Sequence, residues 1–345
     1  MKRVAAILLC FVLCLSLCGC EKKPNEEQGV KPAPDFMPLT EIVPGRKNVY
    51  LIVKILEGSS YWQVIVDGAK DGGDDFDCNV YYSGSYLETD WESHERLLDE
   101  AARAGADAVL IAPNDSVNLS GKIEEVYAQG IPVVLIDTIA NTDSYDICYM
   151  TDNLMAGRKA AEEMLSLLKK NGTSESENIQ IGIQVGATSS MTIIERLAGF
   201  FQYWSQYAPA AWEVIPDIKC NEGSVDKAVI CAEELLKYPN LKGFFGTNNG
   251  STVGFAKVVK ERELKDIALV GFDYSNEIAE LIGDDEYTVS TVLQKQYDMG
   301  YTGVASAVAI IGGEKPEVKF SDTGVIVVNK DTIDQEEVKN ALLHN

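Results

Sequence analysis

Polar and aromatic side chains recur just behind short apolar runs along this chain of 345 residues: Ser59-Ser60-Tyr61-Trp62, Asp137-Thr138, the stretch from Ser189 to Arg196, Asn248-Asn249, Asp273 and Gln294. Carboxylates accept hydrogen bonds, amides and hydroxyls do both, a guanidinium donates through a planar fork, and aromatic faces cover apolar surface. Taken singly, an Asp or Asn after a strand is an ordinary turn or cap residue. Their ordered recurrence makes them candidates for holding a small molecule. Sets for catalysis are harder to find. The two histidines are His94, inside the charged segment Glu92-Ser93-His94-Glu95, and His344, one residue from the C-terminus. Leu98 occupies the second ligand position of a His-Glu-x-x-His motif, and there is no Walker loop and no Gly-x-Gly-x-x-Gly, so neither a metal nor a cofactor is expected.

The elements that must position these residues can be read from the apolar pattern. Strands are predicted at Val49 to Val53, Asn79 to Tyr82, Ala108 to Ile111, Val133 to Ile136, Ile181 to Val185, Phe244-Phe245, Ala268 to Val270, Thr288 to Val292 and Val325 to Val328. Amphipathic stretches such as Glu92 to Ala104, Leu154 to Leu168, Ile193 to Gln206, Ser224 to Leu236 and Tyr297 to Ile311 lie between them. Strands alternating with helices of this length predict an α/β protein with parallel sheets covered on both faces. Gly105-Ala106-Asp107 and Gly130-Ile131-Pro132 punctuate helix ends before strands. In open sheets of this kind ligands gather beyond the carboxyl ends of the strands, where the polar clusters lie.

The N-terminus sets the address. Lys2 and Arg3 precede an apolar run from Val4 to Leu17, then Leu17-Cys18-Gly19-Cys20 and the charged Glu21-Lys22-Lys23. The run is too short to span a bilayer and suits a secretory signal. Gly19 before Cys20 is similar to a bacterial lipobox, which implies cleavage before Cys20, lipidation of that cysteine and anchoring on the outer face of the membrane. An ordinary cleaved signal peptide is the alternative, with the same extracytoplasmic address. Residues 21–47 carry Pro24, Pro32, Pro34, Pro38 and Pro44 among charges, so a flexible linker is expected over 20–47. About 300 residues remain, enough for two lobes. The formal charge of −23 becomes two units more negative once Lys2 and Arg3 are removed. Such acidity repels nucleic acid and anionic headgroups. Beyond the signal region Cys78, Cys148, Cys220 and Cys231 are scattered, which argues against zinc and leaves both a disulfide and buried free thiols open.

From about Asn48 to Asn329 the chain resembles the periplasmic binding proteins of the ribose and galactose type. The motifs are Tyr61-Trp62 with Asp67-Gly68-Ala69, Ile111-Ala112-Pro113-Asn114-Asp115, Ile131 through Asp137, and Thr151-Asp152-Asn153 with Gly157. Glu195-Arg196 with Gly199-Phe200, Gly246-Thr247-Asn248-Asn249 and Val270-Gly271-Phe272-Asp273 complete the series. The resemblance implies two Rossmann-like lobes joined by a three-strand hinge, with crossovers near Thr151-Asp152, Gln294-Lys295 and Asp322-Thr323. The lobes would then comprise 48–151 plus 295–322 and 152–294 plus 323–345.

Carried over, the family's pocket falls on Tyr61 and Trp62 as aromatic platforms and on Asp137, Thr138, Arg196, Asn248, Asp273 and Gln294. These groups suit a sugar: carboxylates accept from vicinal hydroxyls, and rings cover the C–H face. Thr138 stands where ribose binders have an arginine and Ser59 where they have an asparagine. Lost charge-assisted bonds of about 1.5–3 kcal/mol each argue against ribose itself. Lys54 reads as an exposed strand-end lysine, although it is also similar to a lysine of autoinducer-binding members. The resemblance implies a monomeric lipoprotein that delivers a sugar or polyol to the membrane permease of an ABC importer. A sensory subunit for a chemoreceptor or histidine kinase is the alternative, while a carbohydrate-active enzyme would need paired carboxylates set for acid/base work. A repressor is excluded, since an export signal stands where a basic DNA-binding head would be.

Overall fold

The computed structural model describes residues 35–343 other than Gly58 and Ser189. The signal region, Cys20 and His344 lie outside the described residues. The first sheet is built from β1 (Met37–Pro38), β2 (Lys47–Val53), β3 (Cys78–Gly84), β4 (Ala108–Ile111), β5 (Val133–Ile136) and β6 (Ile147–Met150). Helices α1 (Ser60–Asp75), α2 (Trp91–Arg103) and α3 (Ser120–Ala128) connect its parallel strands. After α4 (Asn153–Lys170) come β7 (Ile179–Val185), α5 (Met191–Tyr207), β8 (Trp212–Val214), β9 (Lys219–Cys220) and α6 (Val225–Leu235). The second sheet continues through β10 (Leu241–Gly246), α7 (Asn249–Glu261), β11 (Ala268–Phe272), α8 (Asn276–Ile282) and β12 (Thr288–Gln294). The chain ends with α9 (Gln296–Ile311), β13 (Phe320–Asp322), β14 (Val325–Asn329) and α10 (Glu336–Ala341).

The strand orders are β1-β3-β2-β4-β5-β6-β13 and β14-β12-β11-β10-β7-β8, with β9 also on β7. Val49, Leu51, Ile52, Leu110, Val134 and Leu135 are fully buried because helices cover both faces, which is why these strands read as unbroken apolar runs. The chain passes between the sheets after Met150, after Gln294 and between Asp322 and Val325. Asp322 ties two of these crossings together: its Oδ1 accepts from Asp152 N and from Gly324 N, both at 2.8 Å, while Thr323 N donates to Met150 O at 3.0 Å. Helix α9 follows a second-sheet strand but packs on α1. A β-carbon on Gly68 would stand 2.2 Å from Tyr297 O, and one on Gly300 2.0 Å from Ile65 O, so only glycine permits this approach.

One expectation is corrected. The flexible linker drawn over 20–47 ends earlier, since Met37 and Pro38 pair antiparallel with Tyr82 and Tyr81, and Thr40 Oγ1 accepts from Val80 N at 3.0 Å. Proline fits there because an edge strand can spare a donor. Both sheets are mostly parallel, as expected; within the second, β14 runs antiparallel to β12, because the short Thr323-Gly324 connection from β13 carries the chain back from the other sheet. Strands β8, β9 and β13 escape sequence reading because each spans two or three residues, too few to show a period, and β6 because its Ile147-Cys148-Tyr149-Met150 lacks the unbroken aliphatic run of β4 and β5. The four described cysteines are free thiols, with Cys78 and Cys148 buried and Cys220 exposed. Among the described residues no helix is long and apolar enough to cross a membrane.

Candidate functional site

A cavity of about 340 Å³ lies between the lobes at the carboxyl ends of the strands. Tyr61, Trp62, Asp137, Arg196, Asn248, Asp273 and Gln294 all line it, as do Ser59 and Lys54.

The wall from the first lobe is organised around Asp137. Its Oδ1 accepts from Tyr61 OH at 2.5 Å, and its Oδ2 receives Lys54 Nζ at 2.8 Å and Thr138 Oγ1 at 2.7 Å. Lys54 Nζ also donates to Thr138 Oγ1 at 2.6 Å and stands 5.7 Å from the Trp62 ring centroid. Tyr61 and Trp62 meet edge to face with centroids 4.9 Å apart. Burial pushes the Asp137 carboxyl up. The Lys54 charge, with hydrogen bonds from Lys54, Tyr61 and Thr138, outweighs burial and leaves it below the usual carboxylate range. Burial first, and then the Asp137 charge, raises the Tyr61 hydroxyl well above its ordinary value, so it remains a donor.

Two placements differ from those read from sequence. Lys54 is not an exposed strand-end lysine: it is 6% exposed and paired, because the strand order β2-β4-β5 brings the end of β2 within reach of Asp137 at the end of β5. Thr138 is fully buried and does not line the cavity. Its hydroxyl stands behind the carboxylate and bridges Lys54 to Asp137.

The opposite wall is built on Arg196, which α5 carries into the interior. Its Nε donates to Asn153 Oδ1 at 2.8 Å, one terminal nitrogen to Thr247 O at 2.8 Å and the other to Gln294 Oε1 at 2.7 Å. The guanidinium carbon lies 4.0 Å from the Phe272 ring centroid. Gln294 passes the network on, donating through Nε2 to Asp273 Oδ1 at 2.9 Å. Asn248 caps α7, with Oδ1 accepting from Ser251 N at 3.3 Å and Ser251 Oγ at 2.5 Å. Burial lifts the Asp273 carboxyl to about 6; the Arg196 charge and the Gln294 bond only partly oppose it.

Sequence reading missed Glu88, which lines the cavity after β3, the β9–α6 loop residues Glu222 and Gly223, and Asp226 in the first turn of α6. The signal for Glu88 existed, since Tyr86-Leu87-Glu88 follows an apolar strand like the other polar clusters. The loop follows a strand of two residues that carries no period. His94 is buried in α2 away from the cavity lining, and burial, aided by the Lys54 charge, lowers it to about 3, so it is neutral.

Two lobes of mostly parallel sheet, joined by three crossings and facing each other across a polar cleft, define a two-lobed α/β binding protein. The chain belongs to the periplasmic binding protein domain family, whose model matches residues 49–315, a family of extracytoplasmic proteins. It is 24% identical to the D-ribose/D-allose-binding protein of Pseudomonas aeruginosa, over 92% of this chain and 95% of that protein. It is 26% identical to a ribose import binding protein of Bacillus subtilis, over 65% and 69% of the two chains. An ABC transporter solute binding protein from Agrobacterium vitis with bound D-fucose aligns with a TM-score of 0.77 at 27% identity, covering 85% of this chain and 99% of that one. A carbohydrate transporter solute binding protein from Agrobacterium radiobacter in complex with D-arabinose aligns with a TM-score of 0.81 at 24% identity, covering 87% and 99%.

Proposed function

We propose that this protein captures a sugar or sugar-like polyol between its lobes and presents it to the permease of an ABC importer, held at the outer face of the membrane by a lipid on Cys20. The observation that carries the reading is the cleft itself, where an aromatic pair and Asp137 on one lobe face Arg196, Asp273 and Gln294 on the other. A polyol presents donors and acceptors on one edge and C–H groups on its face, and these walls offer the complementary set. The relatives named for ribose and allose, and the neighbours holding fucose and arabinose, support the same class of ligand.

The lobes in this reading are 48–151 plus 295–322 and 152–294 plus 323–345, supported by the sheet membership of β13 and β14 and by the packing of α9 on α1. A ligand touching both walls binds the closed arrangement better than the open one and so shifts the population toward it, and closure is what a permease can sense. Isothermal titration of the chain from Asn48 onward tests this, with chromatography of the recovered ligand. One unaltered molecule per monomer, with a dissociation constant of about 1 μM or tighter, is expected. Conversion of the ligand would replace the binding reading with an enzymatic one.

A further inference from the structure

Glu88 brings into the cleft a carboxylate that neither wall uses. It comes from the first lobe, yet it lies against the second. A β-carbon on Gly186 would stand 3.0 Å from Glu88 Oε2, and one on Gly223 would stand 3.2 Å from its Cγ. Any side chain at those two positions would crowd the notch that Glu88 enters. Among the described residues no donor or cation bonds its carboxylate. Burial raises the Glu88 carboxyl, Lys54 and Arg196 pull it down, and Asp137 adds to the rise.

Both cations of the cleft are already engaged. Lys54 is held by Asp137 and Thr138, and all three guanidinium nitrogens of Arg196 donate within the protein. Against these two stand Glu88, Asp137 and Asp273 within the lining, while Glu57, Glu222 and Asp226 are exposed at its rim and Glu222 is paired with Lys227. Enclosing a carboxylate without a counter-charge is costly, and a neutral hydroxyl brings it one donor and no charge. An ammonium group brings three donors and the missing charge.

We infer that the cavity takes a sugar or polyol bearing a protonated amino group, with Glu88 as its counter-ion. This rests on the reading of the cleft as the ligand site and narrows the ligand class.

The experiment compares matched probes by isothermal titration at pH 7: D-glucosamine with D-glucose, D-galactosamine with D-galactose, D-mannosamine with D-mannose, and glucamine with sorbitol. At least one aminated member is expected to bind tenfold or more tighter than its neutral partner. Glu88→Gln is expected to weaken that member on the order of 30-fold and so to abolish its advantage over the neutral partner. The melting temperature of the free variant should not fall, because no bond within the protein is lost. Binding of neutral members with aminated ones silent overturns this inference and leaves the sugar reading standing. An aminated preference that survives Glu88→Gln unchanged, or equal weakening of both halves, also overturns it. Silence across the whole panel overturns both readings.

Discussion

Asp137 and Asp273 occupy corresponding places in the two lobes, yet their carboxyls shift in opposite directions. Each directly follows a strand of its sheet, and each donates its backbone N–H to the neighbouring strand, to Tyr149 O at 2.8 Å and Val292 O at 2.9 Å. Each has left-handed backbone, with φ of 63° and 67°, a conformation that aspartate tolerates better than most residues. The difference lies in their company. Lys54 neutralises Asp137 directly, whereas Asp273 accepts from the neutral Gln294 amide while Arg196 is spent elsewhere. One lobe therefore presents an ion-paired carboxylate and the other a carboxylate that only neutral donors hold. Asp273 is 3% exposed and is not the solvated residue that an open strand end implies.

Ligand affinity should fall with pH below about 6. A polyol donating to Asp273 requires its carboxylate, and burial holds that group's folded pKa at about 6 against an ordinary value of 3.8. For the free protein the sign is opposite: native Asp273 binds its proton more tightly than the unfolded chain, so its destabilising effect is absent below about 4 and complete above about 6. Titrations between pH 5 and 8 on the native protein and on Asp273→Asn test the link. The native protein should lose affinity by up to about tenfold per unit below pH 6. An equally steep profile in the asparagine variant would count against Asp273.

Lys54→Met should destabilise the free protein by about 3–5 kcal/mol, because it strands Asp137 as a buried charge without its partner. Adding Asp137→Asn should restore part of the loss. Urea unfolding of the single and double variants measures both. The pair's contribution is present at neutral pH and disappears as pH falls below 3.8 through the depressed pKa of Asp137. A single variant as stable as the native protein would show that the pair contributes nothing net.

Trp62 is the one tryptophan of four in the cavity lining; Trp91, Trp204 and Trp212 stand elsewhere. Ligand binding should change the intrinsic emission of the native protein, and Trp62→Phe should abolish most of that change while retaining binding within about tenfold, since a ring face remains. Persistence of the full signal in the variant would place the reporter outside the cleft.

Cys20→Ala should release the protein from membranes or leave it unprocessed, whereas Cys18→Ala should still accept lipid. Incorporation of radiolabelled lipid into Cys20→Ala would overturn the anchor assignment.

Much of the site was legible because strand ends in α/β sheets converge on one edge, so Asp137, Asn248, Asp273 and Gln294 could be picked out by position alone. Arg196 was legible through its family motif. Glu88 obeys the same rule behind β3, but Ser85, Tyr86 and Leu87 separate its carboxylate from the strand end and mask the pattern. Thr138 was placed one layer too far forward, because adjacent residues at a strand end point in different directions. Which of them meets the cavity depends on the turn.

By itself the sequence determined the alternation of buried strands and helices, the two-lobed plan and the list of polar groups at the strand ends, because apolar periodicity and turn residues act over a few neighbours. Only the tertiary structure decided how those groups are charged and engaged. Lys54 and Thr138 are 84 residues apart in the chain, and Arg196 reaches Gln294 across 98. Whether a carboxylate is neutralised, as Asp137 is, or left without a charge partner, as Glu88 and Asp273 are, depends on burial and on partners brought together only when the strands are stacked and the lobes face each other.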